Sequence, residues 1–189
     1  NYSFDRGNYG SAHVDVYQRS GIGYGVEHFF DLGELGGGNI YYYTQNGQQA
    51  ERNRFELRAN GNFKIDKYTR LGVSYNANQF ELPGQVSPLN VSSAINVSRY
   101  APGSALQLGA NFARSGENDN RSYRFYYDLE LSDRWSLLTR ADLSHSSNAI
   151  TQTNRYHYLG SLRHRGDFFE GDLSYERSGG QQTYFLNRE

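Results

Sequence analysis

The chain has 189 residues with no Cys, no Met and one Trp, but 17 Tyr, 11 Phe and 21 Gly. Its 19 basic and 20 acidic side chains leave a formal net charge of -1, and with no run of either sign a nucleic-acid footprint is not supported. The absence of Cys excludes disulfide staples, zinc-thiolate centres and thiol nucleophiles, and no stretch approaches the ~20 apolar residues of a membrane helix.

In chain order, the first regular segment is Gly21-Ile22-Gly23-Tyr24-Gly25-Val26, which leads to Phe30. It lacks the helix that would complete a phosphate-binding loop, so it reads as a strand whose glycines let neighbours pack close. Tyr41-Tyr42-Tyr43 alternates between the faces of a strand, which sends at least one ring to the polar side, where it can stack on a sugar; the competing reading places these rings in an interfacial aromatic girdle. From Arg54 to Ile65 the alternation has no violation: Phe55, Leu57, Ala59, Gly61, Phe63 and Ile65 oppose Arg54, Glu56, Arg58, Asn60, Asn62 and Lys64. That is period two, the signature of a strand with unlike faces. The pattern returns at Leu71, Val73, Tyr75 and Ala77. It returns again at Tyr123, Phe125, Tyr127, Leu129 and Leu131 against Arg124, Asp128 and Glu130, with only Tyr126 out of phase.

Turn-forming residues punctuate these runs at Ser20-Gly21, Gly36-Gly37-Gly38, Asn46-Gly47, Asp66-Lys67, Pro83-Gly84, Pro102-Gly103, Gly116 with Asn118-Asp119-Asn120, Ser132-Asp133, 146–153, Gly166-Asp167 and Gly179-Gly180. They divide the chain into about twelve strands. The predicted fold is all-β, an antiparallel up-and-down transmembrane β-barrel, with residues 1–189 forming a single barrel domain. A soluble sandwich is the competing architecture.

The polar phase favours the barrel. It carries Arg and acid in mixed sign: Arg54, Glu56 and Arg58, then Arg124, Asp128 and Glu130, then Arg140 and Asp142, then Arg163 and Arg165, then Glu170, Asp172 and Glu176. Facing charges of this kind can cross-link a water-filled wall, so these residues, Arg163 and Arg165 aside, are the candidate lumen lining. The apolar phase is short-chained in the middle and aromatic toward the turns, as in a lipid-facing band with aromatic girdles.

The five histidines show no paired metal-ligand spacing. The chain has no Gly-x-Ser-x-Gly elbow, and in His145-Ser146 adjacency turns the two side chains apart. No catalytic residue, metal or cofactor is assigned, and the protein is read as a non-enzyme.

An ordered set of segments between Tyr68 and Asn148 carries a family resemblance. These are Tyr68-Thr69-Arg70-Leu71-Gly72-Val73-Ser74-Tyr75, the acidic-apolar-proline turn Phe80-Glu81-Leu82-Pro83, Ser98-Arg99-Tyr100-Ala101-Pro102-Gly103-Ser104, Gly116-Glu117-Asn118-Asp119-Asn120-Arg121-Ser122-Tyr123, and His145-Ser146-Ser147-Asn148. Together they resemble the barrel of the tetratricopeptide-coupled exopolysaccharide export porins, the poly-N-acetylglucosamine and Pel type. Where that family has an arginine-rich segment, this chain has the neutral Gly84-Gln85-Val86-Ser87-Pro88.

The resemblance implies an outer-membrane conduit for a biofilm exopolysaccharide in the bacterial outer membrane, with polysaccharide, outer-membrane lipid and periplasmic export or assembly proteins as partners. It also implies that the chain is part of a larger barrel preceded by periplasmic repeats. Two alternatives stay open. Gly21-Ile22-Gly23-Tyr24-Gly25-Val26-Glu27-His28 also resembles lipopolysaccharide-assembly barrels, and a soluble β-sheet binding protein would satisfy the alternation alone.

Overall fold

The structure is a computed structural model that describes residues 1–17, 21–46, 54–81, 87–167 and 169–184. Among the described residues it contains twelve strands: β1 (Tyr2–Ser3), β2 (Tyr9–Tyr17), β3 (Gly21–Asp31), β4 (Gly36–Asn46), β5 (Arg54–Lys64), β6 (Thr69–Phe80), β7 (Asn90–Ala101), β8 (Ser104–Ser115), β9 (Asn118–Ser132), β10 (Trp135–Ser147), β11 (Thr151–Arg165) and β12 (Glu170–Tyr184). A single 3-10 turn, Gly33–Leu35, is the only helical element among the described residues. The strands form one antiparallel up-and-down sheet in the order β1 to β12 without a crossover. In that order β1 and β12 are the terminal strands among the described residues.

The chain divides into two compact units. The first comprises Asn1–Lys64, Gly72–Ala94 and Ala113–Gly116, and the second Ile65–Leu71, Ile95–Phe112 and Glu117–Glu189.

In the first unit the register pairs His13 with Gly25, Gly25 with Tyr43, and Tyr43 with Glu56. One face of β2 to β5 therefore carries His13, Asp15, Tyr41, Tyr43, Gln45, Arg54, Glu56 and Arg58. The other carries Val14, Val16, Ile22, Tyr24, Val26, Ile40, Tyr42, Phe55 and Leu57. Tyr42 meets Phe55 edge to face at 5.9 Å, and Phe30 stacks on Phe63 at 6.4 Å, both on the apolar face.

In the second unit Arg124 pairs with Asp142 and Asp142 with His157, while Leu129 pairs with Leu137, Leu137 with Leu162, and Leu162 with Leu173. The apolar face is banded. A row with Trp135 opposite His164 is followed by the leucine row and then by Tyr127, Thr139, Gly160 and Tyr175. Phe125, Ala141, Tyr158 and Arg177 come next, then Tyr123, Leu143 and Tyr156, and Arg121, His145 and Asn154 end the band. Trp135 packs on His164 at 4.4 Å and His164 on Phe169 at 6.0 Å. Arg177 is a charged side chain within the band, opposite Tyr158 and beside Tyr156 and Tyr175.

Burial is inverted relative to a water-soluble sheet, where the apolar face is the covered one. Tyr43, Gln45, Glu56 and Ser161, all on polar faces, are among the few buried side chains; Glu56 is only 7% exposed. By contrast Val16 is 77% and Leu173 75% exposed. Ala77 in β6 is the one buried side chain of the aliphatic phase among the described residues.

Two glycine signals differ from the sequence expectation. Gly36-Gly37-Gly38 does not form a turn but opens β4, and the chain reverses at Leu32–Leu35 instead. A Cβ at Gly38 would lie 2.8 Å from Phe30 Cζ and 2.9 Å from Gly61 Cα, so glycine here serves close approach. Gly179-Gly180 likewise lies inside β12, not at a turn. The expected turn at Asn118-Asp119-Asn120 is strand, with the reversal at Gly116 and Glu117. Pro83-Gly84, and Gly47 of the Asn46-Gly47 pair, lie outside the described residues. At Pro102-Gly103 the expected turn forms, with Gly103 at a φ of 70°, a conformation that disfavours any side chain with a Cβ.

Candidate functional site

Each candidate lumen residue lies on a polar face, and the two units organise them differently. In the first unit the ion pairs run along one strand. Side chains two apart on a strand share a face, and Glu56 accepts from Arg54 Nη2 at 2.9 Å and from Arg58 Nε at 2.5 Å. Tyrosines, not opposite charges, meet these cations from the neighbouring strand. Arg54 lies 5.3 Å from the centre of the Tyr43 ring and Arg58 5.2 Å from that of Tyr41. Such contacts suit guanidinium, whose plane stacks on aromatic rings while its edge holds a carboxylate. Tyr43 also has its hydroxyl 3.4 Å from that of Tyr17 and its ring 6.0 Å from His13. Gly23 supplies the room, because a Cβ there would lie 2.8 Å from Tyr43 Cζ and closer still to its oxygen.

In the second unit the polar contacts run across strands. Asp142 on β10 accepts from Arg124 Nε on β9 at 3.2 Å and from its own strand's Arg140 Nε at 2.6 Å. On its other side His157 of β11 stands 3.8 Å away through Nδ1, and His157 Nε2 lies 2.9 Å from Glu176 Oε1 on β12. A continuous polar chain therefore crosses β9 to β12. Asp128 accepts from the hydroxyl of Tyr126 at 3.4 Å, which accounts for the one ring out of phase in β9. Glu170 lies 3.8 Å from Arg165.

Some expected partners do not meet. Arg163 sits opposite Asp172 in the register, yet Asp172 takes the hydroxyl of Ser161 instead. Glu130 instead joins Asp128, Asp133, Arg134, Arg163 and Arg165 around a cavity of about 370 Å³.

A larger cavity of about 680 Å³ opens on the polar face beside Asp142 and His157. Its lining includes Arg155, which the sequence reading did not single out. The signal is weak there because β11 mixes its phases: Leu159 and Ser161 share the face of Arg155 and His157.

The histidines separate as the spacing implies, His157 on the polar face and His164 in the aromatic cluster. Among the described residues no three His, Asp or Glu side chains gather to hold a metal ion. Chemically the polar faces offer many weak, exchangeable hydrogen-bond and charge contacts, interleaved with tyrosine rings. Comparison with protein-family models, with curated proteins and with solved structures finds no match for this chain.

Proposed function

We propose that this sheet is a sector of an outer-membrane β-barrel that conducts a hydrophilic polymer, an exopolysaccharide, and performs no chemistry on it. The inverted burial carries this reading: the polar faces bury Glu56, Gln45 and Ser161, while the aliphatic faces leave Val16 and Leu173 open. In water such apolar exposure is an aggregation liability; against hydrocarbon it is the required surface.

The band dimensions support the same reading. From Trp135 to Leu143 the strand advances about 26 Å at ~3.3 Å per residue, or about 20 Å of height at ~40° tilt, close to the ~25 Å apolar band of such barrels. The aromatic cluster of Trp135, His164 and Phe169 falls at one border, as interfacial girdles do. Lipid has no water to satisfy an open sheet edge, so in this reading β1 and β12 are both paired, with each other or with further strands. The wall acts by staying wet: ion pairs such as Arg124 with Asp142 remain hydrated, and Tyr41 and Tyr43 offer ring faces to passing sugars.

One second reading, carried by the glycine-aromatic alternation of β3, is a lipopolysaccharide-assembly barrel that releases lipid through a lateral seam. Purified protein in a planar bilayer separates the two. The conduit predicts ohmic conductance that exopolysaccharide fragments block; conductance with no block, together with retained lipid insertion, supports the second. Absence of both conductance and heat-modifiable electrophoretic mobility would leave only a soluble sheet.

A further inference from the structure

The cavity beside Asp142 differs from the rest of the polar face in the state of its cations. Arg124 and Arg140 are both committed to Asp142. Arg155, on the same cavity wall, makes no ion pair or hydrogen bond among the described residues and is exposed. Opposite it in the register stands Gly180, so β12 presents no side chain there and the guanidinium faces open space. A Cβ at Gly180 would lie 3.3 Å from Arg155 Cγ, so any side chain there would crowd the arginine stem.

The other polar groups around this space are neutral donors and acceptors. Asn111 donates to Ser122 at 3.2 Å, and Ser144 and Gln182 complete the rim. Asp142 is the only carboxylate in the lining, and two arginines already neutralise it. The volume of about 680 Å³ falls within the ~300–1,000 Å³ of small-ligand sites.

A free planar guanidinium beside amides and hydroxyls matches one kind of sugar. The fork of an arginine binds a carboxylate through two parallel hydrogen bonds, and neutral amides and hydroxyls pair with ring hydroxyls. We infer that this cavity is a subsite for a uronate-type residue of the conducted polysaccharide, its carboxylate held by Arg155. The assignment rests on the conduit reading, but binding and conduction can be measured apart.

The test uses hexameric oligogalacturonate as probe, with maltohexaose as the neutral control and a chitosan hexamer as the cationic one. Binding is measured by calorimetry on the detergent-solubilised protein. The oligogalacturonate should bind at least tenfold more tightly than either control, and Arg155→Gln should remove that preference. Arg163→Gln deletes another unpaired arginine on the same face of β11 but outside this cavity, and it should leave binding within twofold of the parent. Arg155→Lys keeps the charge without the fork and should recover only part of the affinity. Equal loss in the Arg155 and Arg163 variants would show general attraction to the wall and overturn the subsite, as would equal binding of all three hexamers. Heat-modifiable mobility of each variant confirms that it is folded. If oligogalacturonate binds through Arg155 but the protein conducts no current, the conduit reading fails while the subsite stands.

Discussion

Replacing Glu56 with Gln removes the single charge that holds two arginines on the polar face of β5. Glu56 accepts from Arg54 at 2.9 Å and from Arg58 at 2.5 Å, with its side chain 10% exposed and the two arginines 47% and 52% exposed. A hydrogen bond to a charged group contributes ~1.5–3 kcal/mol, and screening at half-exposed cations lowers each contact to about 1 kcal/mol. Glu56→Gln should therefore destabilise the fold by about 2 kcal/mol, and Arg54→Gln or Arg58→Gln by about half as much each. At a slope of ~2 kcal/mol per molar urea the midpoint of unfolding in detergent, followed by far-ultraviolet circular dichroism, should fall by about 1 M for Glu56→Gln. Because the pairs share one carboxylate, the Glu56→Gln/Arg54→Gln double variant should lose less than the sum of the two. A Glu56→Gln shift below about 0.2 M, or strict additivity, would refute the view that this carboxylate organises the wall.

Glycine spacing gives a second contrast: Gly23→Ala should destabilise by about 1–3 kcal/mol because its Cβ would overlap the buried Tyr43 ring. Gly25→Ala should have a smaller effect, since its Cβ meets the half-exposed His13 ring, which can swing aside; parallel urea titrations compare them. In the β5–β6 turn, Asp66 accepts from the backbone N–H of Tyr68 at 2.7 Å and the hydroxyl of Thr69 at 2.9 Å, which hold its carboxyl below the ordinary value, with a further pull from Arg99. A lowered folded value means that its contribution is complete above the ordinary carboxylate range and is lost as pH falls through the folded value. Asp66→Asn should accordingly lower the unfolding midpoint at pH 7 and flatten its dependence on pH below about 4, and an unchanged acid limb would contradict the assignment.

The strands that were legible in the sequence were those whose two phases differ in chemistry at every step. From Arg54 to Lys64 the alternation is unbroken, and β5 spans those residues. In β11 it was not legible, because Leu159 lies on the polar face beside His157 and Arg155, so Arg155 carried no phase signal. Glycine was a sound turn signal in one place and misled in others. Gly103 makes its turn through a positive φ, whereas Gly38 and Gly180 sit within strands where other groups approach closely.

That the candidate residues share polar faces was readable in the sequence, but their pairing was not. Sequence shows that Asp142 and Glu176 share a phase, but only the strand register places His157 between them. The cations of the first unit pair along their own strand and stack on Tyr41 and Tyr43, a choice that depends on which strand lies next to β5.

The most direct test of the central claim, that the polar phase faces a hydrated interior and the apolar phase faces lipid, is site-directed labelling. The parent chain has no Cys and so no background. Single substitutions Glu56→Cys, Asp128→Cys and Asp142→Cys, in protein reconstituted into liposomes, should react with a membrane-impermeant maleimide. Leu57→Cys, Leu129→Cys and Leu143→Cys should react only with a lipid-soluble one. Equal labelling of both sets by the aqueous reagent would contradict the account.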